Sequence, residues 1–319
     1  MKTPKHWQTK NILSLTLFLP SCLYAFATWL RIKLTTPKKV KAPVICVGNL
    51  TAGGSGKTPV SISIAKILKK VGKNPYFVSR GYGGNLSDVI VDVNLHSPIE
   101  VGDEPLLLSK EAPVVVNHKR FEGAQKAIDE GADIIIMDDG FQNPTLHKDI
   151  SFLVIDGNTG MGNMFPIPAG PMREFFSQGK KRAQAVIILG EDKTDIAAKF
   201  SDLPIFYGEV VANKPKVENK NIVAFAGIGR PQKFYDSLKN CGFNVVETFD
   251  FPDHYPYKND DIKKIVETAD NLGCDIFTTS KDFVKIPHFY KNKIKVLEIA
   301  IKWKDENKLA EFINKEKHS

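Results

Sequence analysis

Nothing in this 319-residue chain repeats at a fixed period, and no stretch is of low complexity, which excludes solenoid and fibrous architectures. Cysteine is scarce. Cys22, Cys46, Cys241 and Cys274 lie far apart and form no Cys-x-x-Cys pair. Neither a thiolate zinc site nor a disulfide framework is expected, and a reducing cytoplasmic setting is. Acidic residues are in deficit: 36 Asp and Glu against 44 Lys and Arg leave a net charge of +8. Such a balance calls for an anionic partner. The excess does not form the basic and aromatic stripe of a nucleic-acid surface, so no nucleic-acid partner is expected. At 42% hydrophobic and 25% charged, the composition is that of a folded globular chain.

Charge is also absent from Asn11 to Leu30, a stretch rich in Leu, Phe, Tyr24 and Trp29. As a helix it would span about 30 Å, the thickness of a bilayer core. Ser14, Thr16, Pro20, Ser21 and Thr28 interrupt it. Lys2, Lys5 and Lys10 precede it and Arg31, Lys33, Lys38, Lys39 and Lys41 follow, leaving no positive-inside bias. No small-residue cleavage site follows the apolar run, against a removed signal peptide. The expectation is a membrane-associated helix within residues 1–40, lying in the interface with Trp29 and Tyr24 at headgroup depth. A helix packed into the core, or a single span, are the alternatives.

What the chain does have is Val44-Ile45-Cys46-Val47-Gly48-Asn49-Leu50-Thr51-Ala52-Gly53-Gly54-Ser55-Gly56-Lys57-Thr58. An apolar strand runs into a glycine-rich turn, then Gly-Lys-Thr, then a helical pattern. This is the layout of a phosphate-binding loop. Glycines let successive N–H groups curl around phosphate oxygens, and the helix adds its positive end. Residues 51–58 are the candidate nucleotide cradle: Thr51, Ala52, Gly53, Gly54, Ser55, Gly56, Lys57 and Thr58. Lys57 is placed for the β- and γ-phosphates and Thr58 for Mg²⁺. One departure stands out: Thr51 occupies the position where the usual pattern has its first glycine.

From residue 43 onward short apolar runs alternate with helical patterns. The expected strands are 43–48, 75–79, 88–92, 113–116, 133–138, 151–155, 185–189, 205–211, 221–226, 244–249, 274–279 and 294–299. The expected helices are 57–71, 103–110, 119–130, 230–240, 259–272 and 305–315. Near-continuous apolar runs such as Ile134–Met137 and Val186–Leu189 mark parallel strands covered on both faces. The expected class is doubly wound α/β. A polar, lysine-rich stretch at 212–220 divides it into a first unit at 41–204, a linker at 205–220 and a smaller α/β unit at 221–319.

Carboxylates sit where such a site needs them. Asp138 and Asp139 end the apolar strand Ile134–Met137 and precede Gly140-Phe141-Gln142, the position of an acid that helps hold Mg²⁺. Asp103 opens a helix in Gly102-Asp103-Glu104-Pro105; it is either an N-cap or a base for an attacking hydroxyl. His254 lies in Asp253-His254-Tyr255-Pro256-Tyr257 after a strand, where α/β folds bind ligands. Arg173 and Glu174 end Ala169-Gly170-Pro171-Met172-Arg173-Glu174; phosphate and metal contact, or a surface ion pair, are the readings. Ser79–Gly84, Lys119-Arg120 and Thr278–Asp282 add polar groups at further strand ends. Gly227 to Pro231 reads as a tight strand-to-helix turn, with lining of a cleft between the two units as the alternative.

In this order, GNLTAGGSGKTP (48–59), SRGYGG (79–84), GDEP (102–105), DDGFQ (138–142), AGPMRE (169–174), DHYPY (253–257) and TTSKDFVK (278–285) resemble the tetraacyldisaccharide 4'-kinase family of lipid A biosynthesis. The resemblance covers nearly the whole chain, Thr51 included. It implies two α/β/α sandwich domains joined by a two-stranded linker, the first P-loop NTPase-like. It implies ATP and Mg²⁺, and transfer of the γ-phosphate to the 4'-hydroxyl of a tetraacylated disaccharide 1-phosphate at the cytoplasmic face of the inner membrane. By the same resemblance Asp103 would be the base, tuned by His254. Thr58, Asp138 and Glu174 would serve the metal, with Lys57 and Asp139 catalytic. Gln142 and Arg120 would meet nucleotide or substrate. The rival is a membrane-recruited P-loop GTPase or ATPase switch. Asp192-Lys193-Thr194-Asp195 comes within one residue of a guanine signature, but Phe141 stands where a switch glycine is needed.

Overall fold

The computed structural model describes residues 4–316; of the flanking lysines, Lys2 lies outside them. The chain opens with helices α1 (Ile12–Thr16) and α2 (Phe18–Leu34), then runs β1 (Val44–Gly48), α3 (Lys57–Lys70), β2 (Pro75–Ser79), β3 (Val89–Ile90), α4 (Pro98–Val101), α5 (Asp103–Leu108), β4 (Val114–Val116), α6 (Arg120–Asp129), β5 (Ile134–Asp138) and β6 (Ile150–Asp156). It continues with α7 (Phe176–Lys180), β7 (Ala185–Leu189), β8 (Ile205–Ala212), β9 (Asn221–Ala226), α8 (Pro231–Asn240), β10 (Asn244–Asp250), α9 (Asn259–Leu272), β11 (Asp275–Thr279), α10 (Ser280–Phe283), β12 (Ile294–Leu297), β13 (Ile299–Trp303) and α11 (Glu306–Glu316).

The fold is α/β, with a nine-stranded sheet in the order β13-β8-β7-β6-β1-β5-β2-β4-β3 and a four-stranded sheet in the order β10-β9-β11-β12. Pairings are parallel except at the edges of the large sheet, where β3 meets β4 and β13 meets β8 antiparallel. The central strands are buried along their whole length, as their unbroken apolar runs require. β1 lies between β5 and β6, so the loop after it opens at the middle of the sheet. α3 covers one face with Val60, Ser61, Ile64, Ala65, Ile67 and Leu68 buried, a helical spacing. It stops where Gly72 takes φ +75, a left-handed conformation only glycine adopts freely.

Four expectations change. The strand at 294–299 is two strands, divided at Glu298: β12 closes the small sheet and β13 crosses to the large one. The expected unit 221–319 therefore breaks at its end. Trp303 donates its indole N–H to Ser63 at 2.8 Å, and Leu309 and Ile313 of α11 are fully buried in the core beneath α3. The expected linker 205–220 begins as β8, a full strand of the large sheet; β8 and β13 form the two-stranded connection between the sheets. The strand at 88–92 shortens to Val89–Ile90.

The N-terminal stretch forms two helices with a break at Leu17. Pro20 sits in the first turn of α2, where its missing N–H leaves no helical bond unmade. Of the interruptions, Ser14 and Ser21 face inward and are buried together with Ala25, while Thr16 and Pro20 are exposed. Ser21 Oγ accepts the Ala169 N–H at 2.8 Å and donates to Leu17 O at 2.7 Å. Ile12, Leu15, Leu19, Leu23, Phe26 and Leu34 are exposed. Among the described residues no helix is long and apolar enough to cross a membrane.

Leu309→Ala leaves a cavity in a core far from the start of that core in sequence. It is expected to lower stability by about 2–5 kcal/mol. Urea unfolding of the ligand-free protein measures this; a loss under about 1 kcal/mol would show that α11 adds little to the large-sheet core.

Candidate active site

The loop between β1 and α3 is built by close approach of two backbones. A Cβ on Gly48 would lie 2.5 Å from Cβ of Phe141, so only glycine lets the end of β1 pass the 138–142 turn. Gly56, at φ +85, turns the chain into α3. Around Gly53 and Gly54 nothing lies within 4 Å of where a Cβ would stand, which leaves an open cradle. Asn49 braces it, donating to Ser55 Oγ at 3.0 Å.

The first two residues of the expected cradle do other work. The Ala52 N–H is given to the Pro171 carbonyl at 2.7 Å, and Thr51 pairs with Met172 in a β-bridge. Arg173 N–H in turn bonds Leu50 O at 2.7 Å. Thr51 and Ala52 thus hold the 169–174 loop against the cradle. The N–H groups free to meet phosphate begin at Gly53, which explains why a glycine is not needed at Thr51.

The carboxylates divide into distinct roles. Asp138 ends β5, is buried, and receives the Thr58 hydroxyl at 2.9 Å and the Ser61 hydroxyl at 2.7 Å. Burial, with Glu104 adding to it, pushes its pKa up from the ordinary carboxylate range. Two hydroxyls are weak compensation for a buried carboxylate, and a divalent cation would supply the missing charge. The donor set of hydroxyl and carboxylate oxygens suits Mg²⁺, so Thr58 and Asp138 fit that ion. Asp139, at φ +51, turns away from its neighbour. It takes both Arg173 guanidinium nitrogens at 2.8 and 3.2 Å and stands 3.7 Å from Lys57 Nζ. Burial opposes its charge, but Lys57 and Arg173 outweigh that and hold its pKa below the ordinary value.

Glu174 does not line the cleft that Thr58 and Asp138 line. It is 2% exposed, is ion-paired to Arg182 and accepts from Gln142 Nε2 at 3.0 Å. A carboxylate already matched by a guanidinium has no need of a metal, so the expected metal role does not fit it. Gln142 is fixed from behind by Glu174 and by Asn49 O at 2.8 Å; its Oε1 meets Arg173 at 3.3 Å. Gln142 does line the cleft, as do Lys57, Thr58, Asp138, Asp139 and Arg173.

This cleft, about 1640 Å³, runs between the two sheets. On its far wall His254, at φ +61, directs Nδ1 at both oxygens of Asp103, 3.1 and 3.0 Å away. Asp103 is 4% exposed and lies behind His254; the imidazole is the member that lines the cleft. Burial opposes the Asp103 charge, but His254 and then Lys281 overcome it and hold its pKa low. The Asp103 hydrogen bond in turn lifts His254 above the usual histidine value. The Tyr82 ring stands edge-on to the imidazole, 5.5 Å between centres.

Several residues were not legible as a group. Ser61 shares the Thr58 face of α3, and helical spacing from Thr58 is the signal that finds it. Asp156, at the end of β6, binds Arg230 at 2.8 Å and Lys233 at 2.5 Å, tying the turn before α8 to the large sheet. The glycine-rich turn at 227–231 therefore lines the cleft as well as turning the chain. Arg120 is buried with its Nε unpartnered among the described residues; burial and nearby Arg80 bring its pKa down to about 10. The supposed guanine signature is a loop cap. Asp192 accepts the N–H groups of Thr194, Ile196 and Ala197 and lies off the cleft.

A family profile of tetraacyldisaccharide-1-P 4'-kinases matches residues 13–318. The chain belongs to the tetraacyldisaccharide 4'-kinase family. Its similarity to the curated member from Paramagnetospirillum magneticum is 39% identity over 95% of each chain. To that from Rhodospirillum centenum it is 40%, over 98% of this chain and 96% of the other. A crystal structure of the Aquifex aeolicus LpxK in complex with ATP superposes with a TM-score of 0.79 at 30% identity, covering 96% of this chain and 99% of that one.

Because the folded protein disfavours the ionised Asp138, its contribution to stability is fullest below the ordinary carboxylate pKa. It is lost as pH rises toward the raised folded value. Asp138→Asn should therefore melt above the wild type in ligand-free protein at about pH 8, with the gap closing below about pH 4. A gap of equal size at both pH values would rule out an uncompensated charge at this position.

Proposed function

We propose that this chain transfers the γ-phosphate of ATP to the 4'-hydroxyl of a tetraacyldisaccharide 1-phosphate, while docked on the cytoplasmic face of a bacterial inner membrane. It belongs to a family of kinases named for that acceptor. The observation that carries the reading is one cleft lined on one wall by Lys57, Thr58 and Asp138 and on the other by His254 backed by Asp103. We read the two sheets as the cores of two α/β/α units.

Phosphoryl transfer needs charge neutralised and reactants aligned more than it needs covalent chemistry. Lys57 and the N–H groups from Gly53 onward receive the β- and γ-phosphates. Held by Thr58 and Asp138, Mg²⁺ would neutralise charge on the phosphate oxygens. Asp139 and Arg173 keep Lys57 in place by an alternating chain of charges. The acceptor proton goes to His254 Nε2, the acceptor oxygen bonds to the γ-phosphorus, and ADP leaves with the electron pair of the broken P–O bond. Asp103, buried behind the ring, acts through His254: it orients the imidazole and stabilises the imidazolium. The base pair then belongs to a wall of the cleft separate from the nucleotide cradle.

The N-terminal helices supply the membrane contact. Their inner face is small and polar, their outer face apolar, and lysines flank both ends. Arg31, near the end of α2, donates to Gln142 O at 3.2 Å, which puts the outer face close to the mouth of the cleft. Acyl chains stay in the bilayer as the sugar enters.

Lys57→Ala should reduce turnover by a factor of at least about 1,000, a transition-state effect; labelled ATP with a disaccharide 1-phosphate lipid reports it, and near-normal transfer would contradict the site. Asp103→Asn should lower kcat with little change in KM for ATP. It should also move the acid limb of the pH profile downward, because His254 loses the partner that raises its pKa. An altered KM for ATP alone would refute the base role. Removing residues 1–34 should release the protein from anionic vesicles in a flotation assay; unchanged partitioning would remove the interfacial helices from the reading.

A further inference from the structure

Lys281 stands beside His254 and has no part in the steps above. Its Nζ lies 3.1 Å from His254 Nε2, 3.2 Å from Asp253 Oδ1, 3.6 Å from Glu104 Oε1 and 4.0 Å from Asp103 Oδ2. It comes from α10, and that short helix is firmly pinned. Asp282, fully buried, accepts the Gly227 N–H at 3.0 Å and the Thr279 hydroxyl at 2.7 Å, and pairs with Lys285 at 2.8 Å. Thr279 caps the helix start through the Asp282 N–H. The motif Thr278–Lys285 is thus an anchor that presents one lysine to the cleft.

Burial opposes the charge of Lys281, but Glu104, Asp103 and Asp253 outweigh it and lift its pKa above the ordinary lysine value. The group at Nε2 is therefore an ammonium, which has three protons to give and no lone pair. Nε2 must accept. The one proton of a neutral imidazole then sits on Nδ1 and is donated to Asp103. This is the tautomer that can take a proton from a hydroxyl in the cleft. In the resting arrangement the ammonium covers the very lone pair that would do so. Asp253 and Glu104 give Lys281 two carboxylates to turn to when it leaves.

We propose that Lys281 is a positioning residue of the transfer, which caps Nε2 of the tautomer that Asp103 holds until the acceptor hydroxyl displaces it onto Asp253 and Glu104. The proposal rests on the base reading of Asp103 and His254 and adds the group that readies it. No atom is exchanged with Lys281: the hydroxyl proton goes to Nε2, and the ammonium keeps its three. The charged and titratable groups around the imidazole are Asp103 and Glu104 from α5, Asp253 on its own loop, Lys281 from α10 and the Tyr82 phenol after β2.

The test uses the full chain with ¹⁵N-labelled histidine, wild type against Lys281→Met and Lys281→Arg, with the pH profile of kcat/KM measured on the same samples. Wild type and Lys281→Arg are expected to show His254 protonated at Nδ1 alone near neutral pH. Lys281→Met removes a neighbouring positive charge. Its acid limb should move up by about one pH unit, while Nδ1 stays protonated against Asp103. An unmoved limb in Lys281→Met would overturn the proposal. Should Lys281→Met fail to fold, Lys281→Gln, which also lacks the charge, is read for the same limb shift. Asp103→Asn and His254→Gln separate the two ideas. Wild-type turnover in both would sink the base reading. Inactivity in both, with Lys281→Met unshifted, would sink the role of Lys281 alone.

Discussion

The contact between Asp103 and His254 is the constraint on which the site depends, because its two halves belong to different sheets. Asp103 opens α5 beside the large sheet, and His254 follows β10 of the small one. A carboxylate this deeply buried needs a partner that is always there. That partner is in place only if the small sheet is held at a fixed offset. The antiparallel pair β8 and β13 does the holding at one end, and Asp156 with Arg230 and Lys233 at the other. The return of the chain through β13 into the large-sheet core is therefore part of the active-site architecture, although none of its residues is chemically reactive.

Burial also explains how one cleft gives adjacent carboxylates opposite properties. Asp138 and Asp139 are neighbours in sequence, yet the positive φ of Asp139 sends its side chain to Lys57 and Arg173 while Asp138 faces two hydroxyls. One is matched by cations and stays ionised. The other is left short of positive charge, the deficit that the proposed cation would make good. Glu174 shows the converse case: a carboxylate satisfied by Arg182 and Gln142 becomes a brace for a side chain that lines the cleft.

The strands, the cradle and the acid after β5 were legible because each is local. An apolar run followed by glycines and Gly-Lys-Thr fixes strand, turn and helix within some 20 residues, with no information needed from elsewhere. What failed to show was always a matter of which distant segment lies alongside. Hydrophobic pattern marks 294–303 as strand but cannot say that the chain changes sheets at Glu298. It marks Ala52 as a loop residue but cannot say that Pro171 takes its N–H. Asp103 could be read as an acid near phosphate; that it lies behind His254 depends on a contact across 151 residues. Lys281 was one weak candidate among several until three carboxylates and an imidazole converged on it.

The N-terminal helices invert the usual reading of a polar interruption. Ser14, Ser21 and Ala25 look like flaws in a hydrophobic segment, and in a spanning helix they would be. Here they are the docking face. Small side chains let α2 approach the 165–170 loop closely, and Ser21 satisfies the Ala169 N–H that this approach would otherwise bury unpaired. The long apolar side chains are thereby forced to the opposite side, where the protein offers them no cover. A helix whose best-packed face is its least hydrophobic one gains little from water-exclusion against its own protein. The free energy still available from its outer face is released only when an apolar partner covers it, which is what the proposed bilayer contact would supply.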